Sequence, residues 1–313
     1  MKVFHGLDSF SPPAYAVVTS GTFDGVHIGH QKILSRLREI AKQHQGETVV
    51  ITYWPHPRLV VSTDSQDLKL LNTIEEKASL IARQGIDHLV ILPFTQTFSQ
   101  LSPDDFVDQV YVKSLGTARL VIGYDHRFGK DRKGGLDYLL QNSQRLPFAI
   151  EEIPRQDIDD VGVSSTKIRQ ALQNGQIRTA NQYLGYDYFL SGKVVRGDQI
   201  GRSIGFPTAN LVVEEPYKLI PQDGIYAVSI THQGNTLAGM LYIGHRPTLE
   251  GVAHQKNIEV NIFDFDGDLY DHTLTLHFID KIRDDQKFDS LATMQAQLHQ
   301  DKQSALAIFQ KLA

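Results

Sequence analysis

A change of rhythm near residue 184 limits what this chain can fold into more than any single motif does. From Ala14 to about Arg155, short β-branched runs alternate with amphipathic stretches, the pattern of successive βαβ units around a parallel sheet. Beyond Leu184 the strands are separated by tight turns, the pattern of an antiparallel all-β unit. Two domains are therefore expected, over residues 1–184 and 185–313, in keeping with a length of 313 residues at about 150 residues per domain.

In the first part, strands are predicted at Tyr15–Ser20, Thr48–Tyr53, His88–Pro93, Arg119–Tyr124 and Phe148–Ile153, several of them apolar almost throughout, as strands covered on both faces are. Between them Ile33, Leu34, Leu37, Ile40 and Ala41 recur at helical spacing. Thr73-Ile74-Glu75-Glu76 carries the hydroxyl and acid of a capping box, and Ser102-Pro103 opens a further helix with proline at its first position. Short helices are expected over Thr166–Asn174 and Thr179–Leu184. In the second part, Ile225–Thr231 and Thr236–Gly244 flank Gln233-Gly234-Asn235, while Ile258–Phe265 and Leu274–Phe278 flank a turn with Asp266-Gly267-Asp268. Both pairs read as hairpins, and a small barrel suits them better than an open sheet. Leu291, Met294, Leu298, Leu306, Ile308 and Phe309 form the apolar stripe of a terminal helix packed on that barrel. The expected fold is thus α/β then β: a doubly wound parallel sheet, then an antiparallel β-barrel with a terminal helix.

Composition narrows the chemistry. With 31 Lys+Arg against 36 Asp+Glu, the formal charge of −5 has the wrong sign for a protein held by polynucleotide phosphates, so no nucleic-acid partner is expected. No apolar run approaches the roughly 18 residues of a spanning helix, and Met1–His5 leads into polar residues rather than a signal-peptide core; a cytoplasmic protein without a membrane partner is expected. The absence of cysteine excludes disulfides, thiolate catalysis and thiolate-ligated metals. Chemistry falls to His, acids, hydroxyls and backbone amides.

Three segments carry residues suited to it. Gly21-Thr22-Phe23-Asp24-Gly25-Val26-His27-Ile28-Gly29-His30 sits where the first predicted strand gives way to the first helix, where helix amides favour an anion and glycines permit close approach. His27 and His30 can both donate to phosphate oxygens, although as an isolated pair they read equally as solvated histidines at a helix start. Neither a P-loop nor a G-x-G-x-x-G fingerprint is present. Ser164-Ser165-Thr166-Lys167-Ile168-Arg169 opens a later helix and can converge with the first loop beyond the strand ends, or serve as a plain cap with a basic face. In Asn257–Phe263, period two places Ile258, Val260 and Ile262 on one face and Glu259, Asn261 and Phe263 on the other; Glu259 alone reads as a solvent-facing acid.

Together these motifs resemble a known family. The His-x-Gly-His loop paired with Ser-Ser-Thr-x-Ile-Arg is similar to the nucleotidyltransferase superfamily, and Thr52–Pro57 and Gly123–Gly129 resemble loops of its bacterial FAD synthetase branch. Gly201-Arg202-Ser203-Ile204-Gly205-Phe206-Pro207-Thr208-Ala209-Asn210 resembles the riboflavin kinase flap and Pro-Thr-Ala-Asn turn, and Asp280–Phe288 resembles that family's closing segment. The chain is thereby similar to bifunctional riboflavin kinases/FAD synthetases (FMN adenylyltransferases).

What the resemblance implies can be stated residue by residue. His27, His30 and Glu259 are expected to be catalytic, with Glu259 the base toward a ribityl hydroxyl. Gly21, Thr22, Gly29, Ser164, Ser165, Thr166, Arg169, Gly201, Arg202, Gly205, Thr208 and Asn210 are expected around ATP, and Thr208 and Asn210 also on Mg2+. Trp54, Pro55, Pro57, Phe128, Arg283 and Phe288 are expected near the flavin, Trp54 standing where the sequence departs from the common pattern. The implied ligands are riboflavin, FMN, FAD and ATP.

Overall fold

A computed structural model describes residues 1–61, 68–123, 126–153, 162–197, 201, 204–245 and 256–312; of the residues singled out by sequence, Tyr124, Asp125, Arg155, Arg202 and Ser203 lie outside these. The chain divides into two compact units, Met1–Ser165 and Thr166–Ala313.

The first unit is built on β1 (Lys2–His5), β2 (Ala16–Ser20), β3 (Glu47–Trp54), β4 (His88–Pro93) and β5 (Thr117–Gly123), followed by a short ribbon of β6 (Arg127–Phe128) and β7 (Gly134–Gly135), then β8 (Ala149–Ile153). The main sheet is parallel throughout, in the order β1-β4-β3-β2-β5-β8. The five predicted strands are present, and a sixth was hidden in the opening residues. Lys2, Val3, Phe4 and His5 pair with His88 through Ile91 at the sheet edge, where one-sided exposure leaves no apolar run to detect.

Helices α1 (Ile28–Gln43), α2 (Pro57–Val61), α3 (Ile74–Arg83), α4 (Gln96–Ser99), α5 (Pro103–Phe106) and α6 (Leu136–Gln141) complete the unit, with α5 running into a π-helical segment, Val107–Ser114. Helix α1 buries Leu34, Leu37, Ile40 and Ala41, the stripe its spacing predicted. The Thr73 capping box forms in both directions, and the Ser102 side chain caps α5 with Pro103 at the first position.

The division falls just inside the start of α7 (Ser165–Gln173), so the second unit holds the rest of that helix and α8 (Ile177–Leu184). The division after Ser165 and the expected boundary after Leu184 differ by these two helices. Asn181 of α8 donates to the Phe278 carbonyl and accepts from the Tyr188 amide, tying the helix to the β elements that follow. Six strands, β9 (Phe189–Val195), β10 (Ala209–Val212), β11 (Gly224–His232), β12 (Asn235–His245), β13 (Lys256–Ile262) and β14 (Thr273–Arg283), close into an antiparallel barrel ordered β10-β13-β12-β11-β14-β9.

The hairpin around Gln233 and Gly234 forms as expected, with both residues at positive φ. The second predicted hairpin does not. Strand β13 pairs with β12 and β10, whereas β14 pairs with β11 and β9. The Asp-Gly-Asp turn signal is only part of a longer connection, which buries Phe263 and Leu269 and hydrogen-bonds to Val194 of β9 through Asp271 and His272.

Helix α9 (Leu291–Gln310) covers one outer face of the barrel, where Leu298, Leu306, Ile308 and Phe309 pack against a cluster containing Met240, Phe263 and Ala305. Leu291, expected in that stripe, is 60% exposed. A buried carboxylate anchors the helix instead: Asp301, 1% exposed, receives Arg283 Nε at 2.9 Å and Nη2 at 2.8 Å. Among the described residues no helix is long and apolar enough to cross a membrane.

Candidate active sites

In the first unit, strand order reverses between β2 and β5, the switch point at which open α/β sheets bind ligands beyond their carboxyl ends. A cavity of about 810 Å³ opens there, lined by Ser20 from the end of β2, Tyr53 near the end of β3 and Gly123 from the end of β5. Its walls are aromatic, including Phe94, Phe98, Phe106 and Phe128, and Arg58, Arg127 and Arg132 add three guanidinium groups. Gly21, Thr22 and His30 contribute the loop side.

That loop is held in an unusual backbone shape. Phe23, Gly25 and Val26 all have positive φ, at 46°, 89° and 36°, a conformation disfavoured for a β-branched residue and sustained only when surrounding contacts enforce it. The contacts are present: the Leu71 amide donates to Asp24 Oδ1 at 3.0 Å, Ser165 Oγ donates to the Asp24 carbonyl at 2.8 Å, and Gln31 Nε2 donates to the Val26 carbonyl at 2.9 Å. The Ser165 hydroxyl thus braces the first loop, and the two segments converge.

His27 caps α1, its Nδ1 accepting from the His30 amide at 3.4 Å. That contact places the ring proton of neutral His27 on Nε2, leaving one donor to offer. The His27 and His30 rings stack at 3.6 Å, and Phe23 meets His30 edge-on. Burial pushes His27 down to about 4 and His30 well below the usual imidazole range, the His30 shift reinforced by His27 and Lys77. His30 Nδ1 is buried with no hydrogen-bond partner among the described residues, at the first turn of α1. Ser20 and His126 of the cavity lining belong with the buried Tyr111 to a polar cluster. Ser20 Oγ and Tyr111 Oη lie 2.7 Å apart, and His126 Nε2 is 3.4 Å from each. Burial also holds His126 at about 4, with Arg127 and Arg132 acting in the same direction.

Neutral buried histidines give this chain a specific acid response. Their folded pKa values lie below that of an unfolded imidazole, so the unfolded state takes up more protons between about pH 6.5 and 4. Stability is full above that window and falls as pH drops through it. A shift the size of that at His27 is worth up to ~3 kcal/mol. Urea unfolding at successive pH values should show the loss, and His126→Phe should reduce it; a flat profile from pH 6.5 to pH 4 would contradict buried neutral rings.

The second unit holds a separate constellation. Glu259 of β13 accepts from Thr208 Oγ1 at 3.0 Å through Oε2 and from Asn257 Nδ2 at 2.6 Å through Oε1. In register it stands opposite Asn210 of β10 and Tyr242 of β12. The predicted alternation holds, with Ile258, Val260 and Ile262 buried on the other face. Asn261, on the Glu259 face, is also buried, and Tyr242, opposite Glu259 in register, packs against the cluster covered by α9, so the acid sits beside covered surface rather than on an open one. Asn261 Nδ2 donates to the Pro207 carbonyl at 2.7 Å, fixing the turn that presents Thr208. Gly201 approaches Phe206 so closely that a Cβ would overlap the Phe206 carbonyl oxygen, and Gly205 has φ 82°. Thr208 and Asn210 supply neutral side-chain oxygens beside one carboxylate, a donor set suited to Mg2+, which keeps several waters and takes phosphate oxygens as partners.

Residues 11–167 match the family model described as FAD synthetase, and residues 184–309 match that described as riboflavin kinase. A protein named bifunctional riboflavin kinase/FMN adenylyltransferase from Listeria monocytogenes is 38% identical over 95% of this chain and 93% of its own length. This chain belongs to the bifunctional riboflavin kinase/FMN adenylyltransferase family. Another member, from Bacillus subtilis, is 36% identical over 96% of this chain and 94% of its own length. A solved structure named macrolide-efflux protein, from Streptococcus pneumoniae, matches with a TM-score of 0.88 and 30% identity over 97% of this chain and 98% of that one.

Within this bifunctional family fold, the residues expected from sequence fall into distinct places. Gly21, Thr22, His30, Pro57 and Phe128 line the first cavity; among the described residues Trp54, Pro55 and His27 do not. Trp54 ends β3, half-buried, with its carbonyl accepting from the Phe94 amide. Gly29 is buried within α1, and Ser164 precedes the bracing Ser165. Thr166 and Arg169 lie on the first turns of α7 in the second unit. Arg283 is committed to Asp301, with its guanidinium 5.7 Å from the Phe288 ring centre. Asp24 and His126 lie inside motifs that the sequence analysis quotes but were given no role there, and Lys77 and Tyr111 lie in no motif; the contacts of all four are with neighbours distant in sequence.

Proposed function

We propose that the second unit phosphorylates riboflavin with ATP to give FMN and ADP, and that the first unit transfers the AMP moiety of ATP to FMN to give FAD and pyrophosphate. The observation that carries the reading is the placement of His30 and the strained 21–27 loop against one aromatic-walled cavity. An aromatic heterocycle carrying a phosphate fits apolar walls with guanidinium groups among the lining, and a polyphosphate fits the helix N-terminus. In adenylyl transfer a phosphate oxygen of FMN attacks the α-phosphorus, and the bond to the pyrophosphate oxygen breaks. The imidazole N–H groups and helix amides stabilise charge spread over those oxygens.

In the kinase unit, the riboflavin 5′-hydroxyl attacks the γ-phosphorus, its proton passes to Glu259, and ADP leaves. Mg2+ held by Thr208 and Asn210 would offset phosphate charge. Glu259 orients through Thr208 and Asn257, while the Pro207–Asn261 contact fixes the turn. Riboflavin incubated with the full chain, ATP and Mg2+ should give FMN and then FAD on chromatography. FMN alone would limit the chain to the kinase step, and no product would reject both assignments.

A further inference from the structure

We propose that Lys77 is a positioning residue of the polyphosphate site, its buried ammonium linked to the 21–30 loop through Thr52. The inference rests on reading the first unit as the adenylyl-transfer site. Lys77 lies on α3 and is 2% exposed, a placement rare for lysine unless its charge is paired. Its Nζ is 3.5 Å from Thr52 Oγ1, a long contact for a hydrogen bond, so Lys77 acts chiefly through its charge. Thr52 Oγ1 in turn donates to the Thr22 carbonyl at 3.2 Å, so α3 is linked to the loop through a single hydroxyl. Thr22 lines the cavity, whereas Lys77 does not, which makes its action indirect.

The titratable groups acting with Lys77 come from the loop and from α1. Asp24, 1% exposed, favours the lysine's charge, while burial opposes it and brings Lys77 down to about 8. The ammonium in turn acts on His30, stacked on His27, and helps to hold His30 uncharged. A neutral imidazole donates without demanding a counter-anion of its own. The positive potential behind it then comes from a fixed, buried cation that does not move during the reaction. A bound polyphosphate would gain this potential from the protein side of the loop.

The test uses the full chain. FMN adenylylation and riboflavin phosphorylation are followed in the same preparations of parent, Lys77→Met and Lys77→Arg across about pH 6 to 10, with thermal melting alongside. Lys77→Met is expected to lower adenylylation kcat/KM for ATP by roughly tenfold or more, with phosphorylation little changed. Parent adenylylation should decline above about pH 8 as Lys77 loses its proton. That limb should vanish in Lys77→Met. Lys77→Arg, whose guanidinium stays charged, should recover much of the rate and carry no such limb. Adenylylation in Lys77→Met within about twofold of parent, with the alkaline limb intact, overturns the inference. Equal loss in both variants together with lowered melting also overturns it, because that pattern belongs to a packing role. A parent chain that makes FMN but no FAD would instead overturn the site assignment beneath it.

Discussion

Glu259→Gln is expected to lower riboflavin phosphorylation by roughly a hundred- to ten-thousand-fold, the span associated with loss of a positioned general base. Conversion of supplied FMN to FAD by the same protein should stay within about threefold of parent, because that step uses the other unit. The substitution is nearly isosteric. A glutamine oxygen can still accept from Thr208 Oγ1 or Asn257 Nδ2, the two contacts that hold the side chain now. What it cannot do is take a proton at the pH of the assay. If Glu259 served only to link β13 to the turn bearing Thr208, the amide would largely substitute for it. Initial rates of FMN formation by chromatography therefore separate a base from a brace, and kinase turnover within about threefold of parent would remove Glu259 from the chemistry.

The legibility of this chain follows the range of the interactions involved. Helix starts at Thr73 and Ser102 were readable because their caps are local, each closed within three residues. Strands buried on both faces announced themselves as apolar runs, whereas Lys2–His5, on the sheet edge, did not. The Gln233-Gly234 hairpin could be read because its turn fixes its register, while Asp266-Gly267-Asp268 lies in a connection whose partner, β9, is distant in sequence. The same rule governs the sites. His27, His30, Thr208 and Glu259 sit in motifs with recognisable spacing. The Ser165 contact to Asp24, the Lys77 contact to Thr52 and the Ser20–Tyr111–His126 cluster each join positions brought together only by the finished fold. Arg283 lies in a motif that marks it for the flavin, while the partner of its guanidinium, Asp301 of α9, could not be read from that motif.

His30→Ala is expected to reverse the defect of the glutamate variant, with FMN accumulating from riboflavin and FAD formation falling by roughly a hundredfold. A preorganised donor aimed at charge that develops in the transition state is worth on the order of 3 kcal/mol. His30 has the features of such a donor. It lines the cavity, its Nδ1 has no partner among the described residues, and burial keeps the ring neutral. Its removal also takes away the stacking partner of His27 and the edge contact with Phe23, so the strained loop could relax. His30→Asn guards against that ambiguity by keeping a polar side chain and some packing while misplacing the donor. If the imidazole stabilises the transition state, both variants should lose kcat more than they raise KM for ATP, because an interaction made only in the transition state acts on turnover. If the ring only shapes the loop, KM should carry the change and the asparagine variant should recover part of it. Phosphorylation by the second unit, measured in the same preparation, reports whether the rest of the chain is intact. Normal FAD formation by a well-folded His30→Ala protein would mean that the charge on the leaving pyrophosphate is met by the backbone amides of α1 and by other cations of this unit.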